Sequence, residues 1–323
     1  MGYLHGQATN LCSLLDDIIA LCTNEGWEIV IQEDVIYEEE TRVGTVLFKA
    51  KGDGNDNIYS LLRINPDDFN VMILDTPAGY DEHLAYWEQP GGLHQWNKID
   101  EDNDTGKPMY SYTTGSGQGS HKVNVQIPSL RIYDKQRFDY FLFVNNYRLI
   151  IVLKLVIDYQ SAYIGFLNPI SSERQYPYPV YVAGNSLVAS DNIVTGSFVF
   201  PTSGTGWLRR ADGTWRSFEQ PYSENISATT QAVLFPYVCN NKQLVPNFTN
   251  RTTTDVNFLL IPVLLYTNNP TDSCGLLREV FWISGTRDVA AEQIVVVDNV
   301  QYMVFDNRDM RGNNSYFCIK IEN

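Results

Sequence analysis

Phe138-Asp-Tyr-Phe-Leu-Phe-Val-Asn145-Asn146-Tyr-Arg148-Leu-Ile-Ile-Val-Leu-Lys154-Leu-Val-Ile157 is the stretch that decides the fold. Read with Asp158 and Tyr159, it is the longest apolar run of the chain. Arg148, Lys154 and Asp158 interrupt it, and two adjacent asparagines sit inside it. A membrane span needs about 20 mostly apolar residues, so the run reads instead as a hairpin. Asn145-Asn146 tolerates the positive φ that a tight turn demands. Phe138 to Val144, Tyr147 to Ile157 and Ser161 to Leu167 are then consecutive antiparallel strands. The middle one is almost wholly apolar, which fits a central strand buried on both faces. Arg148 and Lys154 share parity, so they point to one face. That face either meets water or places both cations against acids at an interface.

Outward from this core the pattern stays β-rich. Twenty Tyr and fifteen Phe favour strands. Trp27 to Val35, Val43 to Ala50 and Ile58 to Ile64 read as strands, and residues 65 to 120 as irregular. Val123 to Ile127 is a short strand. The chain is loop-rich from Leu187 to Arg251, with a turn at Asp212-Gly213. Strands resume at Val256 to Tyr266, Val280 to Ser284, Gln293 to Val297, Val300 to Phe305 and Tyr316 to Ile321. Asp298-Asn299 marks the clearest hairpin. One helix is expected at the N-terminus. Leu11, Leu14, Leu15, Ile18, Ile19 and Cys22 follow the spacing of an amphipathic helix, with Gly26 as its stop. The fold class is mainly β (α+β), with antiparallel sheets forming sandwich- or barrel-like units and one N-terminal amphipathic helix. The chain divides near residue 185. Residues 1–185 hold the helix and an antiparallel β part; residues 186–323 are a loop-rich β region, with the option that they complete the same sheet. No repeat of 20 to 50 residues occurs.

Composition narrows the function. The 323 residues carry 23 basic and 38 acidic side chains, net −15. Phosphate contacts supply most nucleic-acid affinity, so sequence-specific nucleic-acid binding is not expected. The same acidity disfavours anionic membranes. Arg209-Arg210 and the cluster from Arg308 to Arg311 read as solvated loop charge. Five cysteines without a Cys-x-x-Cys pair read as reduced thiols. The start, Met1-Gly-Tyr-Leu-His, lacks the basic and apolar regions of a signal peptide, so the five Asn-x-Ser/Thr sequons read as unmodified. Folding in a reducing cytoplasm is expected.

No catalytic constellation emerges. His83 and His94 share a region with Asp81 and Glu82, but their spacing matches no compact zinc motif. Asp53, Asn55 and Asn57 have the alternation of a calcium loop, yet Ile58 and Ile64 stand where its glycine and bidentate glutamate belong. Gly115 to Lys122 is glycine-rich but leads into a strand pattern, unlike a phosphate loop. Glu38-Glu39-Glu40 and Asp67-Asp68 read as solvated faces. No catalytic residue, metal ligand or cofactor is assigned.

The segment Tyr159-Gln-Ser-Ala-Tyr163-Ile-Gly-Phe-Leu, followed by Gln175-Tyr176-Pro-Tyr178-Pro-Val-Tyr181, is the most distinctive of the chain. Pro177 and Pro179 fix φ and push the residues before them to extended geometry. Tyr176 and Tyr178 should therefore present their rings from a stiff backbone, or cover the end of a sheet. With the helix running into Gly26-Trp27, Lys51-Gly-x-Gly through Asp56-Asn-Ile-Tyr59, Gly79-Tyr-Asp81, Gln89-Pro-Gly91, Ile261-Pro-Val-Leu, Val280-Phe-Trp-Ile-Ser-Gly285 and Tyr302-Met-Val-Phe, it resembles tail-associated virion structural proteins of tailed double-stranded DNA bacteriophages and prophages. Arg287, after the Ser-Gly turn, departs from that pattern in loop detail. The resemblance implies a non-enzymatic component of the tail, at the baseplate or a tail junction, in several symmetric copies. Its partners would be other phage tail proteins (tube, sheath, baseplate or neck components) and further copies of itself. Its location would be the virion. On this reading the interface candidates are Tyr159, Tyr163, Tyr176, Tyr178 and Tyr181, with Leu11, Leu14, Leu15 and Ile18 of the helix. Tyrosine offers large contact area with a polar tip. The alternative is a carbohydrate-binding or glycan-degrading tail module using Trp87, Trp96, Trp207 and Trp215 on loops. A third class is a non-viral β-sandwich binding module.

Overall fold

A computed structural model describes residues 1–52, 56–65, 68–93, 100–101, 108–109, 128–133, 136–156, 158–170, 178–185, 197–199, 205–210, 213–217, 232–235, 258–268, 271–284, 289–307 and 315–321. In chain order the elements are β1 (Gly2–Ala8), α1 (Leu11–Asn24), β2 (Glu28–Tyr37), β3 (Glu40–Lys51), β4 (Asn57–Asn65), β5 (Asp68–Asp75), β6 (Asp100–Glu101), β7 (Pro108–Met109), β8 (Ser129–Arg131), β9 (Phe138–Asn145) and β10 (Arg148–Leu155). They continue with β11 (Asp158–Phe166), β12 (Val180–Ala183), β13 (Gly206–Arg209), β14 (Trp215–Ser217), β15 (Ala232–Phe235), β16 (Leu260–Asn268), β17 (Thr271–Ser284), β18 (Ile294–Val297), β19 (Val300–Asp306) and β20 (Ser315–Ile321). Among the described residues the protein is mainly β with one α-helix.

The expected hairpin lies at the centre. β9, β10 and β11 are consecutive antiparallel neighbours in a seven-stranded sheet of order β1-β9-β10-β11-β12-β13-β14. Side chains of β10 alternate between two different cores. Leu149, Ile151, Leu153 and Leu155 enter one, Ile150 and Val152 the other. Both faces of the strand are therefore covered, as its apolar run implied. The turn differs from expectation. It is Asn146-Tyr147, between paired Asn145 and Arg148, and neither central residue has positive φ. Asn145 acts through its side chain: Oδ1 accepts the N–H groups of Tyr147 (2.9 Å) and Arg148 (3.1 Å). That side-chain turn replaces the left-handed one.

On one face of this middle sheet lie α1 and a five-stranded sheet, order β2-β3-β4-β5-β8. Asn10 caps α1 by accepting the Ser13 N–H at 2.8 Å, which satisfies one of the donors a helix start leaves open. The helix buries Leu11, Leu14, Leu15, Ile18 and Cys22, and the chain leaves it through Gly26 at φ +84°. Residues 65–120 are not irregular throughout, because β5 runs inside the five-stranded sheet with Val71, Met72 and Leu74 buried. Asn70 and Asp75 bound that apolar stretch. Ser129 and Asn185 exchange bonds across the junction with the middle sheet: Asn185 N donates to Ser129 O (2.7 Å) and Ser129 Oγ to Asn185 O (3.1 Å).

On the other face lies a six-stranded sheet, order β15-β16-β17-β20-β19-β18. The three sheets thus stack as layers with the seven-stranded one between, and among the described residues none closes into a barrel. β13 and β14, from beyond residue 185, extend the same sheet as β9 to β12. The Asp298-Asn299 turn has both residues at positive φ, 51° and 64°, and joins β18 to β19 as read from sequence. Glu38 and Glu39 (49° and 69°) do the same between β2 and β3, so this acidic pair is a turn.

Candidate functional site

The two cations that interrupt β10 both find acids, and both acids belong to the six-stranded sheet or its approach. Arg148 is fully buried; its Nη2 lies 2.8 Å from Glu279 Oε2. Asn145 Nδ2 donates to the same oxygen at 2.9 Å, and Lys320 Nζ stands 3.9 Å from Oε1. At the other end of the strand, Lys154 Nζ and Tyr159 Oη both donate to Glu292 Oε1. The acids share an unusual backbone, with Glu279 at φ +60° and Glu292 at φ +66°. Left-handed geometry is uncommon for a non-glycine residue. For Glu279 its origin is a bulge. The β16–β17 register jumps from Pro262/Phe281 to Leu264/Leu276, so residues 277–280 face Val263 alone. Such a bulge re-aims side chains. Here Arg278 is directed over the Tyr147 ring, 4.1 Å from its centroid, and Glu279 toward Arg148.

The charges respond to this setting. Burial raises the Glu292 carboxyl, but the Lys154 and Tyr159 hydrogen bonds outweigh it and leave the group below its usual range. The Tyr159 phenol is pushed up, first by burial and then by its bond to Glu292.

The opposite face of the middle sheet carries a second polar junction, built from several segments that the sequence marks as distinctive. Asp56 Oδ2 accepts the Tyr178 N–H at 3.0 Å. Trp215 Nε1 donates to Gly91 O at 3.1 Å. Gln89 is buried and ties its loop: Oε1 accepts Asp81 N at 2.8 Å, while Nε2 donates to Asp81 O (2.9 Å) and Leu84 O (2.8 Å). Asp75 Oδ1 accepts the N–H groups of Thr76 (2.6 Å) and Leu93 (2.8 Å). Arg209 is buried beside these acids, not solvated. Burial lowers its guanidinium to about 10, partly offset by Asp56 and Asp75, so it stays charged at neutral pH.

Most of the expected interface residues lie inside the chain's own core. Leu11, Leu14, Leu15 and Ile18 are fully buried against the sheets, so this helix face is not free for a partner. Tyr163 and Tyr181 are fully buried too, with their hydroxyls donating to Phe166 O (2.9 Å) and Phe198 O (2.7 Å). Tyr178 is 2% exposed and packs its ring on Phe166 at 5.7 Å. The prolines predict an extended backbone but do not say which side of it is covered. Tyr159 is half-buried and holds Glu292. Tyr176 lies outside the described residues. Among the tryptophans, Trp207 and Trp215 sit on strands rather than loops, Trp215 is buried, and Trp87 packs edge-on against Tyr86. His5 is exposed and stacks on Phe141 at 4.3 Å; His83 is exposed beside Glu82. His94, His121, Trp96, residues 53–55, Gly115 to Lys122, Val123 to Ile127 and Arg308 to Arg311 lie outside the described residues. Among the described residues no group of three or more His, Cys, Asp or Glu is placed to hold a metal, and no helix is long and apolar enough to cross a membrane.

The sequence reading missed Glu279 and Glu292, and it read the strand from Gln293 to Val297 without placing it at a sheet edge. The acids lie 131 and 138 residues from their cations, beyond any local pattern. The edge did leave a signal: Ile294-Val-Val-Val297 is uncharged, and Ile294 and Val296 are exposed by 49% and 55%. No protein-family model matches the chain, and no curated protein matches it.

Proposed function

We propose that this protein is a non-catalytic structural subunit of the tail of a tailed double-stranded DNA bacteriophage, at the baseplate or a tail junction, in several symmetric copies. The observation that carries this reading is where its distinctive segments fall. Tyr159 to Phe166 is a strand of the middle sheet, Asp56 fastens Tyr178, Gly91 receives Trp215, and Gln89 ties its own loop. Val280 to Ser284 and Tyr302 to Phe305 are strands of the outer sheet. Residues of this kind hold layers together. That favours an architectural role and supports the likeness to tail structural proteins. Its partners on this reading are neighbouring tail proteins and further copies of the chain.

The test is antibody labelling of purified phage particles from the source, viewed by negative-stain electron microscopy. Label at the tail, baseplate or neck is expected. Intact particles without label would sink the reading. A glycan-binding module would instead show quenching of indole fluorescence by host glycan.

A further inference from the structure

Sheet edges carry unpaired backbone groups, and proteins protect them with charge, bulges or brevity. The edges here differ. β2 carries Glu28, Glu33 and Asp34 and two register shifts; β8 has three residues including Arg131; β1 carries His5 and Gln7; β14 carries Arg216. Among the described residues the edges of the six-stranded sheet carry neither charge nor a bulge. Its edges are β18, Ile294-Val-Val-Val297, and β15, Ala232-Val-Leu-Phe235, each four residues long and uncharged.

Among the described residues, no strand pairs with the outer side of β18. Val297 and Val300 close a two-residue turn, so they exchange hydrogen bonds, as do Val295 and Tyr302 two residues on. The intervening residues, Ile294 and Val296, therefore aim their N–H and C=O groups away from β19. Strand direction supplies the next constraint. Every neighbouring pair in this sheet is antiparallel and the number of strands is even, so its two edges run in opposite directions. A second copy placed head to tail would bring its β15 antiparallel to β18 and continue the alternation. Charge selects the same partner edge. Pairing two β18 strands about a two-fold axis would set Glu292 and Asp298 of one copy against those of the other, and opposed like charges are destabilising. β15 is flanked in sequence by Thr229-Thr-Gln231 and Pro236-Tyr237, with no charge. In a chain of net −15 that is a seam without repulsion.

We propose that copies of this chain join head to tail by pairing the β18 edge of one with the β15 edge of the next, which extends the six-stranded sheet across the contact. The proposal deepens the assembly reading above and rests on it. Repeated heterologous contacts of this kind close into a ring where the rotation allows.

The experiment is light scattering coupled to size-exclusion chromatography on the full chain over a range of concentrations. It compares the unaltered protein with Val296→Pro and Val296→Lys, with circular dichroism melts on each. Proline at 296 removes an N–H that points outward, so the bonds to β19 remain; the lysine variant carries the test if the proline variant does not fold. A multimer that falls to monomer mass in the folded variants is expected. Mixing Val296→Cys chains with chains that carry a single cysteine at each of positions 232 to 235 in turn, under a mild oxidant, should cross-link only in the mixture. A multimer of unchanged mass in both variants overturns the seam and leaves assembly standing. Cross-linking of Val296→Cys chains with themselves overturns the head-to-tail geometry. A monomer at every concentration overturns the assembly reading itself.

Discussion

The two faces of the middle sheet are held by different physics. Toward α1 and the five-stranded sheet the contact is largely aliphatic: Leu149, Ile151, Leu153 and Leu155 meet Leu14, Leu15, Ile18, Val46 and Leu62. Toward the six-stranded sheet it is aromatic and charged. Phe141, Phe143, Tyr163 and Tyr181 meet Phe198, Phe305 and Phe317, with Phe141 and Phe305 edge-to-face at 5.1 Å. Arg148 and Lys154 bracket that face, about 20 Å apart along the strand. Aliphatic contact rewards buried area in many alignments. Two ion pairs at opposite ends of one strand reward only one. The charged face is the one that fixes how the layers sit in register.

Removing a buried ion's partner should expose this difference most. Glu279→Ala leaves Arg148 buried without its carboxylate and should cost about 3–5 kcal/mol in denaturant unfolding. Arg148→Met should cost clearly less. It removes the buried charge along with Nε and Nη1, which have no hydrogen-bond partner among the described residues, and leaves Glu279 to Asn145 and Lys320. Equal losses for the two would show that packing, not charge, governs this face.

The aliphatic face should respond by volume. Leu15→Ala is expected to cost about 2–5 kcal/mol, through lost burial and the cavity left behind, with little dependence on salt or pH. This face was also the more legible in the sequence. The helix shows in the spacing of Leu11 to Cys22, and β10 shows in the apolar run from Leu149 to Leu153. The charged face was half legible. Parity put Arg148 and Lys154 on one side, but their acids are far along the chain and reach them through a bulge and two left-handed residues, which no periodicity encodes. The tyrosines misled for a related reason: whether Tyr178 or Tyr181 meets solvent depends on which distant strands lie over it. β5 was missed because its apolar core is short and lies among acidic residues.

A smaller effect tests whether the aliphatic face depends on a well-formed helix. Asn10→Ala removes the cap on Ser13 N and should lower stability by about 1 kcal/mol, read as a drop in Tm. The loss should add to that of Glu279→Ala, because the two sites share no partner. Marked non-additivity would mean that the faces are coupled through the middle sheet.

The smallest expected effect separates the faces by pH. Lys154 and Glu292 are 29% and 32% exposed, so solvent screens the pair and its contribution should stay below about 1 kcal/mol. Its sign still follows from linkage. Glu292 titrates below its usual range in the folded protein. The unfolded chain then binds the proton more readily, so the stabilisation is complete above the unfolded value of about 4.3. It is lost as pH falls through the folded value. The Tm gap between the unaltered protein and Glu292→Gln should therefore be present at pH 7 and close toward pH 3. Leu15→Ala should keep its gap over the same range. A Glu292→Gln gap that does not change with pH would mean that the carboxylate acts there by shape and hydrogen bonding, and the bracket on β10 would then rest on Arg148 alone.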